Sequence, residues 1–157
     1  MAREIERKFL VIGNAWRQSA SGVLFRQGYL NDAPERTVRV RTMGEEAVMT
    51  VKGRTVGIER AEFEYEIPFE DCVRMLDTLA LRPLIEKTRY RIPFQGFVWE
   101  VDEFHGENEG LVVAEIELPS ADTAFEKPEW VGREVSGDAR YFNSALISHP
   151  YKTWSVD

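Results

Sequence analysis

Residues Glu4-Ile5-Glu6-Arg7-Lys8-Phe9-Leu10-Val11 alternate charged and apolar side chains. In an extended strand, successive side chains point to opposite sides. Glu4, Glu6 and Lys8 therefore share one face, and Ile5, Phe9 and Val11 share the other, with Arg7 the exception. An ordinary half-buried strand sets apolar residues against mixed polar ones; here they are set against formal charges. The pattern returns along the chain. Arg39 and Arg41 oppose Val38 and Val40, and Lys52 opposes Met49 and Val51. Glu62 and Glu64 oppose Phe63 and Tyr65, and Lys87, Arg89 and Arg91 oppose Tyr90 and Ile92. Glu100 and Asp102 oppose Trp99 and Val101, and Glu115 and Glu117 oppose Ala114, Ile116 and Leu118.

Period-two alternation bounded by turn residues predicts eight strands, over 3–11, 24–31, 36–43, 46–53, 58–67, 85–94, 97–104 and 111–119. The 24–31 run fits least well and offers only Arg26, on a face shared with Gly28. Gly44 and Gln95-Gly96 read as hairpin turns. Helical spacing of Phe69, Val73, Leu76 and Leu79 predicts a helix over 69–80, with Glu70 and Asp71 at its start. Ser120 and Asp122 suggest the N-cap of a short helix over 120–127, and Tyr141, Phe142, Ala145 and Leu146 a helix over 138–148. A turn near 14–20 is only weakly marked. The expectation is an α+β fold: a closed eight-stranded antiparallel β-barrel with peripheral helices, in a single domain spanning 1–157.

The 157 residues carry 20 Lys and Arg against 27 Asp and Glu, a formal charge of −7. That excess disfavours nucleic acid and membrane surfaces as partners, since both attract basic proteins. One cysteine excludes an intramolecular disulfide framework and a cysteine-rich zinc site. No apolar run approaches the roughly 20 residues of a membrane helix, and the opening Met1-Ala2-Arg3-Glu4 does not resemble a signal peptide. A cytoplasmic protein is expected, of an oligomeric state the sequence leaves open. Cys72, His105 and His149 lack partners at a catalytic or ligating spacing and read as structural. Trp99 should face outward, against a covering helix, and Arg7 should find a salt bridge on that outer face.

Two geometries fit strands charged on one face. The charged face can meet solvent, or it can line a lumen whose apolar exterior is covered. The sorting of signs favours neither solubility nor chance, because like charges two residues apart lie only about 7 Å from one another and soluble surfaces mix signs. In a lumen, Lys8, Arg39, Arg41, Lys52, Lys87 and Arg89, with Arg26 and Arg91 as further candidates, would suit phosphate oxygens. More cations than one phosphate needs implies a chain of phosphates. The acidic pairs would supply hard oxygen ligands, which suit Mg²⁺ or Mn²⁺ rather than zinc or copper.

The ordered set Glu4-x-Glu6-x-Lys8, Arg39-x-Arg41, Lys52, Glu62-x-Glu64, Lys87-x-Arg89, Glu100-x-Asp102 and Glu115-x-Glu117 resembles the CYTH superfamily, the triphosphate tunnel metalloenzymes, in its short bacterial form. The resemblance implies an eight-stranded tunnel that hydrolyses a small triphosphate with Mg²⁺ or Mn²⁺. It implies Glu4, Glu6, Glu115 and Glu117 as metal ligands, with Glu62 and Glu64 as further ligands. Lys8, Arg39, Arg41, Lys52, Lys87 and Arg89 would cradle the phosphates. Glu4, Glu6, Lys8 and Lys52 would act in catalysis, with Tyr29 bearing on which phosphate bond is cut. The segment Asp138–Leu146 would close or line one tunnel mouth. Inorganic triphosphate is the first expectation for the substrate. The alternatives are an organic triphosphate (an adenylate cyclase, a thiamine triphosphatase or a nucleoside triphosphatase) and a non-catalytic binder of polyphosphate or nucleotide.

Overall fold

The computed structural model describes residues 3–154. Eight strands follow one another: β1 (Arg3–Val11), β2 (Gly22–Tyr29), β3 (Arg36–Met43), β4 (Glu46–Gly53), β5 (Glu59–Glu66), β6 (Ile85–Phe94), β7 (Phe97–Phe104) and β8 (Val112–Glu117). A ninth, β9 (Val131–Glu134), comes later. Helix α1 (Phe69–Thr78) joins β5 to β6, and the short α2 (Ala145–Ser148) lies near the C-terminus. The sheet order is β5-β4-β3-β2-β6-β7-β8-β1, with β1 pairing back onto β5 to close the barrel. All pairings are antiparallel, and the alternation of the sequence sets their register: Lys8 lies opposite Glu115, Lys52 opposite Glu62 and Arg89 opposite Asp102.

Closure is uneven. One edge of β1 pairs with β5 only through residues 3–5, whereas Phe9 and Val11 pair with β9. β9 thus takes up the edge of β1 where β5 has diverged from it. It was not expected from the sequence, since Val131-Gly132-Arg133-Glu134 is short and has a single buried apolar residue.

The charged faces point inward and the apolar faces outward, so the hydrophobic core is a shell around the barrel. One cluster packs Ile5, Phe9, Trp99 and Ile116 beneath Trp16, Phe125 and Trp130. A second sets Val113 and Phe104 against the C-terminal residues Tyr141 and Leu146. A third sets Val40 and Ala47 against Cys72 and Leu76 of α1. Buried Cys72 therefore packs, as expected. Arg7 pairs on the outside with Glu134, at 2.9 and 2.5 Å, and His105 bonds Thr88 at 2.7 Å.

Four expectations need correction. Residues 120–127 form no helix: Ser120, Asp122 and Thr123 close a turn through their own side chains, and Lys127 precedes a proline. Trp99 is accordingly covered by this loop, through Phe125 and Trp130, and not by a helix. The 138–148 stretch breaks into a 3-10 turn at Ala139–Tyr141 and the short α2, because Phe142 is extended and turns Asn143 inward. Arg26 lies outside the barrel, 3.6 Å from Glu86. Its neighbour on that face, Gly28, lies against Leu76 and Ala80. It is Phe25 and Tyr29 that line the lumen from β2.

Candidate active site

The lumen encloses a cavity of about 360 Å³, within the usual range for small-molecule sites. Except for Arg26, the residues expected at the site border it: Glu4, Glu6 and Lys8 from β1, Tyr29 from β2, Arg39 and Arg41 from β3, Lys52 from β4, Glu62 and Glu64 from β5, Lys87 and Arg89 from β6, and Glu115 and Glu117 from β8. Arg91 and Glu100 stand on the same wall, and they pair at 3.2 Å. Period two brings them together, since each strand contributes every second residue and the barrel wraps those faces around one axis.

The cations differ in how they are held. Asp102, fully buried, accepts from Lys87 Nζ at 2.7 Å and from Arg89 Nε and Nη2 at 2.7 and 2.8 Å. Arg89 also lies 3.4 Å from Glu100 and 3.6 Å from Glu115. Lys52 donates to both oxygens of Glu4, at 3.2 and 3.0 Å. Lys8 donates to the Tyr141 carbonyl at 3.0 Å. Arg39 and Arg41 are less satisfied. Arg39 reaches Thr50 at 3.4 Å, Arg41 comes no nearer than 3.9 Å to Glu64, and the Nε of each is buried without a hydrogen-bond partner among the described residues. Such donors are costly to bury unless something accepts from them. Burial and the charges of Arg39 and Arg89 push Arg41 down to about 9. Burial likewise brings Lys87 to about 7, with Arg89 and Arg41 adding to the effect against Asp102.

The acids show the opposite strain. Burial pushes Glu6 well above the carboxylate range, helped by the charge of Glu115, by its hydrogen bond to Glu115, and by Glu4. Glu115 is held well below that range: burial opposes ionisation, but Lys8, the hydrogen bond from Glu6, Arg89 and Lys87 outweigh it. Glu62 rises to about 7 through burial and the charge of Glu4, and its hydrogen bond helps Lys52 keep Glu4 low. Glu117 is raised by burial and by Glu4 and Glu100. In two carboxyl pairs, Glu6 with Glu115 and Glu4 with Glu62, one member is therefore pushed up and the other held down.

Charge alternation could not reveal the uncharged residues of the site. Asn143 Oδ1 accepts from Gln27 Nε2 at 3.1 Å and from Lys87 Nζ at 3.2 Å, so the C-terminal segment reaches into the lumen. Phe25 lies beneath the guanidinium groups of Arg41 and Arg89. Their only signal in the sequence was parity with Tyr29 along β2, and, for Asn143, its place in the segment expected at a tunnel mouth.

A closed β-tunnel lined by both buried cations and crowded carboxylates defines a class: a site for a small polyanion together with a hard cation. Residues 2–148 match the CYTH domain, and the chain belongs to that family. It is 53% identical over 154 residues to an inorganic triphosphatase of Acetivibrio thermocellus, covering 98% of this chain and 99% of that one. It is 38% identical over 148 residues to an inorganic triphosphatase of Nitrosomonas europaea, covering 91% and 95%. Among solved structures, that of an inorganic triphosphatase superposes with a TM-score of 0.64 at 36% identity, covering 91% of this chain and 96% of that one.

Membership of such a family implies a divalent metal cofactor in general terms. Among the described residues, no group of three or more Asp, Glu, His or Cys side chains is arranged to hold a metal ion by itself. The donors still fit one in kind. Glu4, Glu6, Glu62, Glu115 and Glu117 border one cavity, where burial and neighbouring carboxylates push Glu6, Glu62 and Glu117 up, and every donor is a hard oxygen. Mg²⁺ ordinarily takes one or two carboxylates and completes its shell with water and substrate phosphate, so no closed protein cage is required.

Proposed function

We propose that this chain is a divalent-metal-dependent inorganic triphosphatase that cleaves tripolyphosphate to phosphate and pyrophosphate within the barrel. The observation that carries this reading is the pair of buried, incompletely bonded guanidinium groups, Arg39 and Arg41, in the same cavity as glutamates that burial and their neighbours' charge push up. The former keep Nε donors unbonded among the described residues, and the latter still crowd one another although Lys52 pairs with Glu4 and Arg89 lies near Glu115, a combination that a phosphate chain and a metal would relieve together. The similarity to inorganic triphosphatases over nearly the full chain agrees with it.

In this reading Arg39, Arg41, Lys52, Lys87, Arg89 and Lys8 hold the phosphate oxygens and carry the charge that grows on them as the bond breaks. Such electrostatic stabilisation supplies most of the rate enhancement in phosphoryl transfer. Glu4, Glu6, Glu115 and Glu117, with Glu62 and Glu64, would hold Mg²⁺ or Mn²⁺. The ion would supply charge neutralisation and activation of water. Asp102 keeps Arg89 and Lys87 in place from behind. Tyr29, at the cavity wall on β2, bears on where along the phosphate chain cleavage falls. The reading takes 1–157 as one domain that acts on a small molecule and binds neither nucleic acid nor membrane.

The test is turnover of tripolyphosphate, ATP and thiamine triphosphate, each with Mg²⁺ or Mn²⁺, with phosphate, pyrophosphate and cyclic AMP measured. Tripolyphosphate should be the preferred substrate, and a Glu4→Gln, Glu6→Gln double variant should lose activity by roughly a thousandfold or more. Cyclic AMP with pyrophosphate as the main products, tight binding without turnover, or an active double variant would each overturn the reading.

A further inference from the structure

Phe25 occupies a position that hydrophobic packing does not explain. It is only 7% exposed, yet it belongs to none of the three apolar clusters that surround the barrel. Its side chain faces the charged lumen instead. Arg41 Cζ lies over its ring at 4.8 Å from the centroid, and Arg89 Cζ at 5.0 Å. The two cations come from β3 and β6, the strands on either side of β2.

The two guanidinium groups stand differently. Arg89 is gripped by Asp102 through two hydrogen bonds and lies near Glu100 and Glu115. Arg41 has no such anchor. Among the described residues its nearest carboxylate is Glu64 at 3.9 Å and its Nε is unbonded, and Arg39 and Arg89 repel it. The face of an aromatic ring attracts a cation, more strongly where water is excluded. A guanidinium resting on such a face keeps its in-plane N–H donors available for phosphate oxygens. Ring attraction can thus offset the repulsion between Arg41 and Arg89 without consuming the donors that an anion needs.

We infer that Phe25 is a positioning residue of the anion site, its ring holding the Arg41 guanidinium beside Arg89 in a geometry ready for a polyphosphate chain. The inference rests on the reading of the lumen as a triphosphate site. Without the ring, Arg41 would have to be gathered back against its like-charged neighbours each time an anion bound, and affinity would fall.

The test is calorimetric titration of tripolyphosphate into the metal-free full-length protein at low salt, alongside steady-state kinetics with Mg²⁺. Three forms are compared: wild type, Phe25→Leu, and a chain with pentafluorophenylalanine at position 25. The fluorinated ring keeps the shape of phenylalanine but reverses the charge on its face. Both altered chains should bind tripolyphosphate about tenfold more weakly. KM should rise by a similar factor and kcat should change less than twofold. Unchanged or tighter binding by the fluorinated chain would overturn the inference, and that chain decides the matter if Phe25→Leu fails to fold. Failure of wild type to bind tripolyphosphate would instead overturn the triphosphate reading, and this inference with it.

Discussion

Arg41 and Asp102 show how differently one lumen treats its buried charges. Asp102 is saturated by Arg89 and Lys87, whereas Arg41 keeps its Nε donor without an acceptor among the described residues. A buried charge without a close partner costs stability, so Arg41→Gln should stabilise the free protein by about 1 kcal/mol in urea unfolding. The same variant should bind tripolyphosphate tenfold to a hundredfold more weakly, the worth of a charged hydrogen bond. Marked destabilisation would mean that Arg41 is satisfied in the free protein. Lys87 carries a related strain that pH reveals. Burial lowers it in the folded state to about 7, from an ordinary value of 10.5. Below pH 7 both folded and unfolded chains hold the proton, and the folded chain bears the full cost. Between pH 7 and 10.5 the unfolded chain holds more protons, so stability rises with pH. Metal-free wild type should therefore gain about 2 kcal/mol relative to Lys87→Met between pH 7 and pH 9. Parallel stability profiles for the two proteins would refute this.

The strands were legible because a period of two, with charge on one side, leaves few alternatives. Seven of the eight expected runs placed their charges on the correct face. β2 did not: Arg26 was its one charge, and it points outward to Glu86, while uncharged Phe25 and Tyr29 point inward. The helices were less legible where side chains competed with the backbone. Ser120 and Asp122 form a turn of their own, and Asn143 is drawn into the lumen by Gln27 and Lys87. Both effects depend on partners that local spacing does not reveal. Gly28 gives the element scale its sharpest test. A Cβ there would lie 2.6 Å from Ala80 Cβ, 2.9 Å from Leu84 Cδ2 and 3.1 Å from Leu76 Cδ2. β2 therefore packs closely against α1 and the segment that follows it only because this residue has no side chain. Gly28→Ala should cost about 1–3 kcal/mol of stability by overpacking. Because the side chain would face α1 and not the lumen, kcat at 25 °C should stay within twofold. Wild-type stability by urea unfolding would show that the seat of α1 is looser than these distances state.

At the scale of the whole molecule, a chain of charge −7 holds a cavity built for anions. The sum was legible from composition but misleading, because it cannot tell the inside of a barrel from the outside. Lys87 is almost wholly enclosed and Arg89 largely so, whereas many of the acids, Glu45, Glu70 and Glu107 among them, are exposed. A polyanion short enough to enter should relieve repulsion among the lumen cations, while a long one should meet only the acidic exterior. Ligand at a hundred times its dissociation constant adds about 2.7 kcal/mol to the folded state. In a chain of this length that raises Tm by roughly 5–10 °C. Tripolyphosphate without metal should produce that shift in a thermal melt. A duplex oligonucleotide at the same phosphate concentration should move Tm by less than about 1 °C, since its rigid backbone stays outside. Added NaCl should reduce the tripolyphosphate shift only modestly, because buried pairs are screened much less than exposed ones. A shift by the duplex equal to that by tripolyphosphate, or one abolished by moderate salt, would place anion binding on the outer surface and contradict the division of charge between lumen and exterior.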